Sequence, residues 1–302
     1  MTACAGPRCA DAMLSTFPHA AVLYALASAF LFALTNHFQS LGLEGSDART
    51  GSLINIATGA VFYWLLAPFF LESWYWLTWG ALLFAMVGII RPSLSSLLAI
   101  QSIHVLGPTL TSALTASAPI FGALFAILLL GETLDLKTGI GIAAVIAGGV
   151  VASYRRQGLS RDWPLWAIAL PVGAAFVRAS GHAVTKLGLE DVPSASFAVL
   201  VSNTVSLAIA MAAFRIEGRP MMGSATSYKW FVVSGLTAAI SLQFLNSALQ
   251  IGDLVTVVPV VSATPVFTML LGLLVFRRER FSWRMVATIA LVVPGVILVA
   301  LK

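Results

Sequence analysis

Arg91 and Arg178 are the residues of this 302-residue chain that most demand a chemical explanation, because each lies near the middle of an apolar stretch. An ionisable side chain at bilayer depth is costly and normally faces a cavity or a partner. None of the twelve Asp and Glu falls at comparable depth; all lie in the N-terminal tail, in loops or at the ends of apolar stretches. A guanidinium without a buried carboxylate needs an anion from elsewhere, and a substrate carboxylate, phosphate or sulfonate would supply one. The alternative is that each arginine snorkels, or meets a helix C-terminus elsewhere in the bundle.

Arg178, His182 and Thr185 follow at i, i+4 and i+7 and share one helical face. This polar stripe reads either as substrate contact or as an interhelical hydrogen-bonding seam. Asn36 and His37 mark a similar place in the first apolar stretch, and His37 is a proton-responsive candidate, with a simple hydrogen bond to a neighbour as the plainer reading. Gln101, Asn203, Gln243 and Asn246 are further candidate substrate contacts, although amides also satisfy one another across helices. Pro119 and Pro265 read as cavity-lining hinges, and Glu132 and Glu279 as caps of the next turn or partners of loop bases.

Enzyme chemistry has little to rest on. The four His, at 19, 37, 104 and 182, show no ligand spacing, and no His-Glu-x-x-His zinc site occurs. Ser180 lacks the first glycine of a Gly-x-Ser-Gly hydrolase turn. Both cysteines, Cys4 and Cys9, fall in the tail, which excludes a disulfide framework and a Cys-based metal site. Neither metal nor cofactor is expected.

The elements that position these residues follow from composition. The chain is 59% hydrophobic and only 10% charged, with a mean hydropathy of +0.94, which excludes an ordinary soluble enzyme. The net charge of +5 then reads as membrane topology and not as a nucleic-acid footprint. Spans of about 20 apolar residues are expected at 19–43, 52–71, 75–104, 108–130, 138–154, 164–188, 194–214, 229–250, 254–276 and 283–301. Arg91-Pro92 interrupts 75–104, which reads as one long, Pro-kinked helix. The first seventeen residues read as a tail without a cleavable signal, because the apolar run that follows exceeds a signal h-region.

Self-comparison shows a tandem repeat. Leu41-Gly42-Leu43-Glu44 recurs 146 positions later as Leu187-Gly188-Leu189-Glu190. The same offset pairs Phe30 with Phe176, Asn36 with His182, Pro119 with Pro265, Phe121 with Phe267 and Gly149-Val150 with Gly295-Val296. Five helices per copy is an odd number, so the second copy enters the membrane from the opposite side. The expected fold is therefore an all-α integral membrane protein with ten transmembrane helices, built as two inverted five-helix repeats. Eleven of the seventeen Lys and Arg fall on the side of the first loop and four on the other, with Arg91 and Arg178 inside helices. The basic side is expected to be cytoplasmic, with both termini outside.

The stretch from Ala118-Pro119 to Gly131-Glu132, followed by the small-residue helix Gly139 to Gly149, resembles the EamA-type repeat of the drug/metabolite transporter superfamily. Its second copy runs from Thr264-Pro265 to Glu279, and the resemblance covers about residues 20–301. Glu132 follows Pro119 by 13 residues and Glu279 follows Pro265 by 14, with Arg277-Arg278 in place of Leu-Gly, so the second turn is open to a different construction. The resemblance implies a tail at 1–17, a first repeat at 18–154, a basic cytoplasmic linker at 155–163 and a second repeat at 164–302. It further implies a secondary transporter of the cell inner membrane that works by alternating access. Its partners would be a small molecule and the lipid bilayer, without nucleic acid, and a homodimer is left open. Combined with the unpaired arginines, it favours export of small anionic or zwitterionic metabolites such as amino acids. The competing readings are a proton-coupled cationic drug antiporter, which needs a membrane-embedded carboxylate, and, more remotely, a membrane-embedded enzyme.

Overall fold

The computed structural model describes residues 19–301 apart from 92–97, 99–100, 103–104, 107–110, 112–113, 154–163, 219 and 278–280. The expectations for the tail with Cys4 and Cys9, for Pro92, for the linker 155–163 and for Glu279 lie outside the described residues.

Among the described residues the chain is helical and contains no strand; a lone bridge joins Ser46 to Gly223. The helices are α1 (Ala20–Leu43), α2 (Ala48–Phe70), α3 (Trp79–Ile90), α4 (Ala118–Leu130), α5 (Leu136–Ser153), α6 (Ala169–Asp191), α7 (Ala195–Glu217), α8 (Ala225–Ile251), α9 (Leu254–Val261), α10 (Thr264–Leu274) and α11 (Trp283–Ala300). Eight segments are long and apolar enough to cross a membrane, α9 and α10 together making one, while α3 and α4 are shorter apolar helices. Leu65, Phe69 and Leu128 are among many large apolar side chains left exposed, as an outer surface solvated by lipid tails allows.

Small residues let the helices approach. A Cβ on Gly141 would lie 2.6 Å from the Gly295 carbonyl oxygen, and one on Gly295 would lie 2.8 Å from the Gly141 oxygen, so α5 and α11 meet backbone to backbone. Ser28 donates to the Ser241 carbonyl at 2.9 Å and Ser241 donates to that of Ser28 at 2.7 Å, joining α1 to α8. These polar seams replace a hydrophobic drive that lipid cannot supply.

Caps account for some helix ends that charge patterning places differently. Asp47 accepts the Thr50 N–H at 3.4 Å and starts α2 at Ala48, four residues before the expected 52. The Thr50 hydrogen bond holds the Asp47 carboxyl below the usual carboxylate range. Ser224 caps α8 by accepting the Ser227 N–H at 3.2 Å, so Lys229 lies inside the helix and does not mark its start. The expected helix from 75 begins instead with a 3₁₀ turn, Ser73–Leu77, and α3 starts at Trp79 where Thr78 accepts the Ala81 N–H.

The largest correction concerns 254–276, which is not one helix. It breaks at Ser262–Ala263 into α9 and α10. Pro265 sits in the first turn of α10, where its missing N–H costs nothing. The first repeat breaks likewise at Ala116–Ser117, before Pro119 in the first turn of α4. Ser117 N–H donates to Leu114 and Ile120 N–H to Ser117; 146 positions later Ala263 donates to Val260 and Val266 to Ala263. The hinges are therefore breaks between two helices, not kinks within one. The end of this segment also repeats: Gly131 has φ +64°, and Arg277, 146 positions on, has φ +52°. The second turn is thus left-handed like the first, with an arginine where a glycine is easier.

Packing across the repeats fixes helix directions. Asn55 donates to Ser234 and Tyr63 to Gln243, so α2 and α8 run parallel. Ser28 with Ser241 and Thr35 with Thr237 make α1 and α8 antiparallel. At one end of the bundle Arg49 pairs with Glu217 at 2.9 Å, beside the Ser46–Gly223 bridge. At the other end Asp191 accepts the Gly80 N–H at 2.7 Å, and Glu132 reaches Lys186.

Candidate functional site

The two breaks face one another across a cavity of about 730 Å³. Ala118, Pro119, Thr115 and Ala116 line it from the first break, and Val261, Ser262, Thr264, Pro265, Thr268 and Met269 from the second. A helix break frees backbone groups that membrane proteins tolerate only where they are buried in protein or line a water-filled space. The lining reaches Ala152 and Ser153, the last residues of α5, at the end of the bundle where Arg49 and Glu217 pair.

Arg91, Arg178 and His182 meet in this cavity. Arg91 is the C-cap residue of α3, and its stem crosses α6 at Gly181: a Cβ there would lie 2.8 Å from Arg91 Cδ and 2.9 Å from Cγ. A larger residue at 181 would force the Arg91 stem to shift. Arg178 and His182 are one turn apart on α6, on either side of the Gly181 region that the Arg91 stem crosses. Arg178 is exposed by area because it borders this space. His182 is 7% exposed and its Nδ1 has no hydrogen-bond partner among the described residues. No Asp or Glu lines the cavity among the described residues. Asn36, one helical turn beyond Phe32 on α1, completes this side.

Other sequence candidates lie elsewhere. Thr185 donates to the Gly181 carbonyl at 2.7 Å, so the third member of the stripe bonds its own helix. The His37 ring bonds the Thr268 carbonyl at 2.9 Å through Nε2 and stacks on Phe276 with centroids 4.3 Å apart, which is the plainer of its two readings. Gln243 accepts from Tyr63 at 3.2 Å in the α2–α8 seam, Asn246 is buried within α8, and Gln101 is exposed; none of the three borders the large cavity. Asn203 borders a second cavity of about 230 Å³ with Asn55, Ser202 and Ser206, and Arg91 and Phe32 belong to both spaces.

Sequence reasoning missed the hydroxyls. Ser153, Ser262, Thr264 and Thr268 line the large cavity; Ser153 and Thr268 donate to carbonyls of their own helices, and Ser262 and Thr264 donate across the break to Val258 and Val261 of α9, which leaves all four oxygens able to accept. For Ser262, Thr264 and Thr268 the position beside Pro265 is the signal that could have found them. It also missed the partner of Glu132, whose carboxylate accepts the Leu254 and Val255 N–H groups at 2.7 and 2.8 Å and pairs with Lys186 at 3.4 Å. Lys186 in turn donates to the Gly252 carbonyl. The acid therefore caps α9 in the other repeat and not its own next turn.

Comparison with known proteins places this geometry. A family model described as the EamA-like transporter family matches residues 19–154 and again 165–301. No curated protein matches the sequence. A solved structure described only as the crystal structure of a protein superposes with a TM-score of 0.79 at 15% identity, covering 92% of this chain and 95% of the other. At that identity the likeness is one of fold.

Proposed function

Because the chain belongs to the EamA-like transporter family, we propose that it is a secondary transporter that exports small anionic or zwitterionic metabolites, amino acids among them, by alternating access. The observation that carries this reading is the convergence of Arg91, Arg178 and His182 on one cavity that no described acid lines. A cationic drug antiporter would exchange its cargo for a proton on an embedded carboxylate, and a lipophilic cation entering this space would meet two like charges with no compensating partner.

The proposed layout is ten spans in two inverted five-helix repeats, 18–154 and 164–302, joined by the linker 155–163. Its support is that packing repeats under the exchange: α1 packs on α8 as α6 packs on α3, and α4 packs on α6 as α9 and α10 pack on α1. The cavity lining reaches the end that carries Arg49, Arg215, Lys229, Arg277 and Arg284 with Glu44, Asp47 and Glu217, while Lys137 and Lys186 are the bases at the other end among the described residues. Basic residues stay on the cytoplasmic side. The cavity therefore opens inward, both chain ends lie outside, and the protein resides in the cell inner membrane.

Cells expressing the protein are expected to resist toxic carboxylate-bearing metabolite analogues and to gain no resistance to ethidium-like dyes. Growth assays against both classes test this. Protection from the dyes alone would assign the cavity to cations.

A further inference from the structure

We propose that the cavity is a dianion site: its substrate is a small dicarboxylate or phosphate monoester, which Arg91 and Arg178 bind together. This rests on the anion-export reading and narrows it to doubly charged cargo. Charge balance comes first. A guanidinium stays protonated in proteins, and neither of these two guanidiniums forms an ion pair among the described residues. A monoanion or a zwitterion would leave the closed site with uncompensated positive charge, which is costly away from water. Alternating access requires a stage at which the loaded site is shut at both ends, and a dianion is the cargo that makes that stage neutral.

Geometry points the same way. Each guanidinium is a planar fork that matches a carboxylate or one edge of a phosphate. The Arg91 stem lies against Gly181, three residues beyond Arg178 on α6, and both arginines line the one cavity, where a molecule with two anionic groups can address both. His182, whose buried Nδ1 has no partner among the described residues, lines the same cavity one turn beyond Arg178. One molecule with two anionic groups loses its translational freedom once, whereas two monoanions lose it twice. The volume of about 730 Å³ suits a small metabolite.

The test is uptake by the purified protein in proteoliposomes of four labelled probes: succinate and glycerol 3-phosphate as dianions, butyrate as a monoanion and leucine as a zwitterion. Both dianions, or one of them, are expected to be carried at least tenfold faster than butyrate and leucine, and which one is carried separates the dicarboxylate from the phosphate source. Arg91→Gln lowers the site to a single charge and is expected to reduce the dianion-to-butyrate ratio at least tenfold; Arg91→Lys, which keeps the charge, is expected to preserve most of the ratio and controls for folding. Transport of butyrate or leucine at rates equal to or above the dianions overturns the dianion assignment and leaves the anion-export reading standing. Uptake of ethidium with none of the four carried overturns both. A ratio unchanged in Arg91→Gln, or no transport of either dianion, overturns the assignment.

Discussion

Replacing Arg178 by Gln is expected to lower carboxylate transport about a hundredfold while leaving the protein in the membrane at normal abundance. Hydrogen bonds to a charged group are worth about 1.5–3 kcal/mol, and each 1.4 kcal/mol is roughly tenfold in affinity. Arg178 borders the cavity and has no ion pair to lose, so its removal unpairs no protein carboxylate among the described residues. Arg178→Lys keeps the charge but loses the planar fork and is expected to fall between the two. Efflux assays on cells with matched expression check the order. Normal transport by Arg178→Gln would make this arginine structural.

The second large effect is expected at the opposite end of the bundle, where Glu132 holds α9 and Lys186 together. Side-chain exposures of 9% and 15% make this a mostly buried pair. Removing one partner of such a pair typically costs about 3–5 kcal/mol. The contact ties α4, α6 and α9 together at the end of the bundle away from Arg49, and under the proposed alternating-access cycle it is expected to break when that end opens. Glu132→Ala is therefore expected to shift the population toward the outward-open form by roughly a hundredfold or more. A cysteine introduced as Ser262→Cys, in a chain with Cys4 and Cys9 replaced, would report it. Its labelling by an impermeant thiol reagent from the outer face should rise strongly in Glu132→Ala. A fall in thermal stability with unchanged labelling would show instead that the contact persists through the cycle.

The features legible in the sequence are those whose cause is local or periodic. The tandem repeat could be read because an offset of 146 survives in unusual residues such as Pro119 and Pro265, and the structure repeats the hydrogen bonds around them. Arg91 and Arg178 stood out because charge is costly in lipid, and the cavity brings both to one place. The role of Glu132 could not be read, since the N–H groups it caps lie 122 and 123 residues away in the other repeat. Nor could the sequence separate Gln243, which serves a seam with Tyr63, from Asn36, which borders the cavity: both are lone amides in apolar helices, and only packing decides which way each faces. The break at Ser262–Ala263 was readable in principle from Pro265, but hydrophobicity alone runs through it unbroken.

Counterflow in proteoliposomes tests the central claim most directly. Vesicles preloaded with an unlabelled carboxylate are expected to draw in the labelled compound faster than empty vesicles in wild type, and the stimulation is expected to vanish in Arg178→Gln. Equal stimulation in the two proteins, or stimulation by quaternary ammonium compounds and not by carboxylates, would contradict an anion-binding cavity that alternates between the two sides.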